Sequence, residues 1–301
     1  MKRVYPLPGT LNVFLVFSVF AVQCTLIIAA SHTSLKWQVP IALLFSFLFL
    51  TNYSLMHEGG HKLLHPNKGL NKFLDVIAGL NFPTSGTMMS LTHDAHHFCN
   101  RTRHEMFDCY YEKDNKIVKW LQWYSILLGF FWFSIVLGTL LVSIFPSFLK
   151  NSLFKKARSS SELFNRFNKE SIRQIRIECL LCILYFFILF KFCGVQLLPT
   201  AVLFALGGFN WSTRQYVQHH RSSRDVMEGA FNLRTSKIMQ WIMLNYNFHH
   251  EHHSKPGISW IYLPEAAGGK TEMSYLKQYL RQWKPPYLLE KECPEPLDGY
   301  K

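Results

Sequence analysis

Asn245-Tyr-Asn-Phe-His-His-Glu-His-His253 puts four imidazoles into five positions of a 301-residue chain. Neutral rings make a poor core and a poor charged surface, yet imidazole nitrogen is the commonest protein ligand for transition metals. A solvated histidine tract is the alternative for one such run taken alone. Two further dense boxes lie upstream, His57-Glu-Gly-Gly-His61 and His93-Asp-Ala-His-His97, with the pair His219-His220 between them and the last box. Three boxes in one chain point to a single metal site assembled from remote segments.

Outward from the boxes, the composition is 49% hydrophobic and 16% aromatic, and it comes in blocks rather than stripes. Blocks near the ~20 apolar residues needed to span a bilayer indicate a membrane protein. The formal charge of +13 accompanies no zinc finger, RNP motif or single basic helix, so nucleic acid is not expected as a partner. The charge is assigned to the cytoplasmic membrane face. Seven scattered cysteines cannot all pair internally, which fits a reducing compartment. Cys179-Leu-Leu-Cys182 lies inside an apolar run and reads as packing.

We expect one domain over residues 1–301. A cytoplasmic N-terminus (1–10), containing Lys2 and Arg3, precedes two transmembrane helices within 11–56, the apolar runs being 11–30 and 39–56. The first run is longer than a secretory signal core and is followed at once by a second. Residues 57–120 hold the first two boxes. The piece 73–91 within them is broken by Gly79, Asn81, Pro83 and Gly86, which favours an interfacial segment over a span. Residues 121–212 carry apolar segments A (121–145), B (177–190) and C (195–211), with a basic linker at 146–176 that contains Ser159-Ser-Ser161. Residues 213–265 hold the third box, and 266–301 form a polar tail that wraps the surface or is loose.

Three crossings between the second and third boxes would put them on opposite sides of the membrane. If segment A is re-entrant or in-plane, only Lys36 and Lys191 of the 32 basic residues lie outside, as the positive-inside rule prefers. The expected fold is therefore an all-α integral membrane protein. It has four transmembrane helices, re-entrant or interfacial apolar segments, and a cytoplasmic helical cap carrying the boxes, in a bacterial inner membrane or the endoplasmic reticulum.

On a helix, His57 and His61 stand one turn apart on one face. His65 continues that face as a possible additional ligand or donor, before Pro66. In HxxHH, neighbouring rings diverge by about 100°, so one box can serve two ions. That gives His93, His96 and His97 from the second box, and His249, His252 and His253 from the third, with His250 pointing elsewhere. These eight ligands suit two ions better than one tetrahedral zinc. Glu58, Asp94 and Glu251 lie beside box histidines and are expected to orient ring N–H groups. His219, placed beyond segment C on a continued helix, is expected as a ninth ligand, with His220 dispensable; the alternative is that both rings only bond Asp225 or Glu228.

The ordered boxes HxxxH, HxxHH and HxxHH resemble the membrane fatty acid desaturase superfamily. Asn247-Phe-His-His-Glu-His-His253 followed by Trp260-Ile-Tyr-Leu-Pro264, and Ser212-Thr-Arg-Gln-Tyr-Val-Gln-His219, extend the likeness over roughly residues 10–265. The resemblance implies a non-haem centre of two Fe, O2 as co-substrate, a lipid acyl substrate and removal of hydrogen from an unactivated C–H bond. It also implies an external electron donor of ferredoxin or cytochrome b5 type, since no His-Pro-Gly-Gly haem motif is present. A lipid or carotenoid hydroxylase or ketolase of the same superfamily shares these ligands.

Two other classes compete. His57-Glu-Gly-Gly-His61 is also HExxH, the zinc metalloprotease motif in which the glutamate is general base. Leu297-Asp298-Gly299 mimics a second intramembrane-protease motif, but in a polar tail. A metal transporter would need ionisable residues along its spans, and the spans lack them.

Overall fold

The computed structural model describes residues 5–150, 166–290 and 292–297. Lys2, Arg3, the linker residues Lys155, Lys156, Arg158 and Ser159-Ser-Ser161, and Asp298 lie outside the described residues.

The chain is predominantly helical, and its two longest apolar runs form a hairpin: α1 (Gly9–His32) and α2 (Leu35–Gly60). At 1.5 Å per residue these are about 36 and 39 Å long, more than the ~30 Å hydrocarbon layer. Both are long and apolar enough to cross a membrane. The piece expected at the interface is two helices, α3 (Lys68–Leu80) and α4 (Gly86–Cys99). Ser85 caps α4 by accepting from Met88 N at 3.0 Å, the side-chain oxygen satisfying an otherwise orphaned helix donor.

Segment A is two helices, α5 (Lys116–Leu127) and α6 (Phe130–Ile144), bent by 91°. Gly129 sits at the bend with φ +92°, and a Cβ there would press on Phe209; glycine alone takes that backbone without strain. Segment B is longer than its apolar run suggests, because α7 (Lys169–Phe192) starts with a charged turn. Its N-terminus is closed by a reciprocal cap between Asn168 and Ser171. Segment C is α8 (Leu197–Ser212). An aromatic column of Phe45, Phe49, Phe82, Trp132, Phe204 and Trp211 packs α2, α6 and α8 together, with Phe49 and Phe82 stacked at 4.6 Å.

The helical expectation holds, and short strands are added to it. Two-residue strands form two parallel ladders: β1 (Cys109–Tyr110) with β4 (Tyr287–Leu288), and β2 (Leu233–Arg234) with β3 (Met273–Ser274). Such strands are too short to show alternation. Short helices α9 (Lys237–Ile242), α10 (His249–Ser254), α11 (Leu263–Ala266) and α12 (Tyr275–Arg281) complete the described α-helices. The described tail is docked on both sides of β4: Trp123 Nε1 donates to the carbonyls of Gln282 and Lys284 at 3.2 and 3.1 Å, Cys293 N donates to Tyr111 Oη at 2.7 Å, and Leu297 N donates to Phe98 O at 3.3 Å.

Candidate metal centre

Each histidine box sits beside backbone that has left the ordinary regions. The described non-glycine residues with positive φ are Lys62, Arg101, Arg221, Leu244 and Asn245, all within five residues of a box histidine or of the His219-His220 pair. Strain of this kind persists only where the surroundings hold it. At the end of α2, the Asn71 side chain accepts from Leu64 N at 2.9 Å and donates to Gly59 O at 3.1 Å. That turns the chain immediately after His61.

Beyond α8 the expected helix does not continue. Residues 213–220 run through i→i+3 turns, with Gln215 N bonding Ser212 O and His219 N bonding Tyr216 O. The register is nonetheless fixed, because Phe231 N donates to Gln218 O at 3.0 Å and Leu233 N to Asn247 O at 2.7 Å. The segment 231–233 is thus held between the His219 turn and the third box. This arrangement puts His219 Nε2 3.0 Å from His249 Nε2.

Nine imidazoles converge in two groups: His57, His61, His93, His97 and His252 in one, His96, His219, His249 and His253 in the other. Within each group the candidate ligand atoms lie within 4.8 Å of one another. Both HxxHH boxes are divided between the groups. The groups abut, since the His97 and His253 rings are 4.4 Å apart.

Hydrogen bonding alone does not explain the first group. His93 Nε2 approaches both His61 Nε2 (2.8 Å) and His97 Nε2 (2.9 Å), and His97 Nε2 also approaches His252 Nε2 (3.0 Å). An imidazole nitrogen offers one in-plane lobe, either a proton or a lone pair, so it cannot satisfy two such neighbours. Buried His57 has no hydrogen-bond partner on either ring nitrogen. A shared cation satisfies all of these lone pairs at once, so the donor set fits metal ions.

Outer partners fix two tautomers. His219 Nδ1 faces the Gly229 carbonyl at 2.8 Å, and His96 Nδ1 faces the Glu105 carboxylate at 2.7 Å. Both partners only accept, so Nδ1 donates and Nε2 keeps its lone pair for the centre. Gly229 is required there because a Cβ would collide with the Asp225 carbonyl and the Arg101 side chain.

The carboxylates expected around the boxes take other roles. Glu58 accepts from Tyr246 Oη (2.6 Å), Ser259 Oγ (2.6 Å) and Trp260 N (3.3 Å). Its effect on the site passes through Tyr246, whose ring lies 4.2 Å from His57, and it is not poised as the base of an HExxH protease. Glu251 pairs with Lys255 at 2.5 Å. Asp94 is half-buried near the charges of Arg166 and Lys62. The expectation fails because a residue adjacent to a histidine on a helix points about 100° away from it.

His65, His220 and His250 stand outside both groups. His65 Nδ1 accepts from Asn67 N at 3.0 Å. His250 pairs with Glu228 at 2.6 Å. His220 stacks on Trp123 at 5.3 Å, and its Nδ1 is 3.5 Å from Asp108.

Sequence reasoning missed Glu105 and the fully buried pair Arg101 and Asp108, 2.8 Å apart. Arg101 also donates to Tyr216 Oη and to the carbonyls of Ser222 and Ser223, tying the second box to the His219 turn. Burial opposes the Asp108 charge, but Arg101 and then His220 hold its carboxyl below the usual range. The sole sequence signal is an arginine and an aspartate shortly after a box.

Burial first, and neighbouring histidines second, drive His61, His93, His97, His219, His249, His252 and His253 toward neutrality. His61 falls to about 4 and His249 to about 3. His93, His97, His219, His252 and His253 fall well below the ordinary value. Neutral imidazole is the form that ligates.

The family model described as fatty acid desaturase matches residues 34–285, a span that contains all nine histidines. No curated protein matches the chain.

Proposed function

This chain belongs to the fatty acid desaturase family, and we propose that it is an O2-dependent oxidoreductase introducing a double bond into a fatty acyl or related lipid chain at a two-iron centre. The observation carrying this reading is the partition of nine imidazoles into a five-membered and a four-membered group in contact. Nine nitrogens exceed what one ion takes, and unequal groups leave room for an additional small ligand on the poorer one. Two irons bound there would supply the dioxygen chemistry that breaks an unactivated C–H bond.

The chain's own residues position and seclude. His57, His61, His93, His97 and His252 would hold one ion, and His96, His219, His249 and His253 the other. Glu105 and the Gly229 carbonyl hold their rings against rotation. A crevice lined by Tyr53, Met56, His57, Gly60, Met89, Ser90 and His93 adjoins the first group. Its methionines and tyrosine give the first group an apolar wall beside His57 and His93, and methionine adapts to an irregular shape. Glu58 holds Tyr246 against His57.

The topology we propose has four crossings, α5 and α6 forming a re-entrant or in-plane pair, with both termini and all boxes cytoplasmic. Electrons then come from a soluble or membrane-bound cytoplasmic donor of ferredoxin or cytochrome b5 type. A metal-transporter role is disfavoured because α1 carries no Asp, Glu, Lys or Arg along its length.

Expression in a lipid-producing host followed by mass spectrometry tests the reaction. The expected product has lost two hydrogens and is absent from a His97→Ala control. A product that gains one oxygen instead assigns hydroxylation; an unchanged lipid profile from iron-loaded protein with its donor contradicts both.

A further inference from the structure

Outside the long apolar helices, α9 and α12 expose four large apolar side chains: Ile238 (74%), Trp241 (60%), Leu276 (66%) and Leu280 (62%). Their arrangement follows from the β2–β3 ladder. Parallel pairing of Leu233 with Met273 and of Arg234 with Ser274 launches the two helices from neighbouring strands, capped by Ser236 and Ser274. Their inner faces meet in one cluster, where Met239 and Met243 join Tyr275 and Tyr279 over Val217 and Leu233. Ile238 with Trp241, and Leu276 with Leu280, are spaced three and four apart, so each pair shares the opposite face of its helix. Two exposed apolar helix faces launched side by side from one ladder suit an interaction site.

Depth and charge identify the occupant. Thr51 Oγ1 donates to Ile242 O at 2.8 Å and Ser54 Oγ to Met243 O at 3.1 Å. The end of α9 is therefore fastened to α2 one to two turns before His57, within a helix long enough to cross the membrane. That is the level of the lipid headgroups, where tryptophan prefers to lie. Arg234 in β2, Lys237 at the start of α9, and Lys277 and Arg281 on α12 are all exposed. Glu272 is the exposed acid next to them in the chain. An apolar face rimmed by lysine and arginine matches an anionic bilayer surface.

We propose that α9 and α12 form a membrane-surface anchor: Ile238, Trp241, Leu276 and Leu280 enter the headgroup layer of the protein's own bilayer, and Arg234, Lys237, Lys277 and Arg281 contact anionic phospholipid. The anchor holds the His219 turn and the third box at the bilayer surface, because segment 231–233, which joins them, leads directly into α9 through β2.

Purified full-length protein is reconstituted into vesicles of phosphatidylcholine, with and without phosphatidylglycerol, containing phosphatidylcholine brominated high in its acyl chains. The emission difference between wild type and Trp241→Phe isolates Trp241. Leu280→Trp gives an independent reporter on α12, and iron content verifies that each variant is folded. Both reporters are expected to be quenched by at least half by the brominated lipid and to be shielded from aqueous acrylamide. Phosphatidylglycerol deepens the quenching, and the double variant K277E/R281E abolishes that increase. Reporters quenched by acrylamide and untouched by brominated lipid overturn the anchor and leave the face to a soluble protein. Quenching indifferent to phosphatidylglycerol overturns the role of the four cations. The readout needs no turnover, so it stands or falls separately from the proposed reaction.

Discussion

His96 Nδ1 lies 2.7 Å from Glu105 Oε2, so a carboxylate nine residues along the chain decides which nitrogen of a candidate ligand carries the proton. Glu105→Ala frees the ring to rotate and to change tautomer. Outer partners of this kind are worth roughly 10–100-fold in metal affinity. Chelator competition should show one of two irons released about that much more readily, while Glu105→Gln, which still offers an oxygen, keeps most of the wild-type retention. Unchanged release of both ions in Glu105→Ala would remove His96 from the centre.

Arg101 and Asp108 form a pair in which neither side chain is exposed. Asp108→Ala strands a guanidinium among carbonyls, and breaking a buried pair on one side costs about 3–5 kcal/mol. Thermal unfolding in detergent should show a correspondingly large drop in midpoint. A loss within the scatter of surface substitutions would mean that the pair is not what ties the second box to the His219 turn.

His219 belongs to the four-membered group, while its neighbour His220 stacks on Trp123. His219→Ala is expected to lose iron and turnover together. His220→Ala keeps most of its iron and loses stability instead, since it vacates a stacked position beside Asp108. The reverse pattern would shift the ligand by one residue.

The depressed histidines give the metal-free protein a defined pH dependence. Unfolded histidine titrates near 6.5, whereas folded His61 and His249 titrate near 4 and 3. Between these values the unfolded chain binds more protons, so stability rises with pH across the window. It is fully present above about 6.5 and is lost as pH falls toward about 4. Urea midpoints of apoprotein should therefore decline across that interval; midpoints flat from neutrality down to the lower value would contradict the burial of neutral rings.

What was legible in the sequence was local. His57 with His61, and each HxxHH run, could be read as ligand-bearing because helical spacing fixes ring directions over one turn. The long apolar runs of α1 and α2 were legible for the same reason. Which ring joins which group was not, because His252 meets His97 across 155 residues and His219 meets His249 across 30. The bend at Gly129 was hidden in an apolar run whose composition looks uniform. Glu105, Asp108 and Arg101 gave little signal, since a charged residue near a box is ordinary until its distant partners are known. The expected helix after Ser212 failed because Gln218, His219 and Ser222 are held by the chain around Gly229 rather than by a helical ladder.

The central claim is a centre of two iron ions held by nine imidazoles, and metal analysis of active protein tests it most directly. Two irons per chain are expected, with iron removal abolishing turnover and iron, not zinc, restoring it. One zinc per chain, with activity that survives iron chelation and disappears in Glu58→Gln, would contradict the account and favour HExxH hydrolysis.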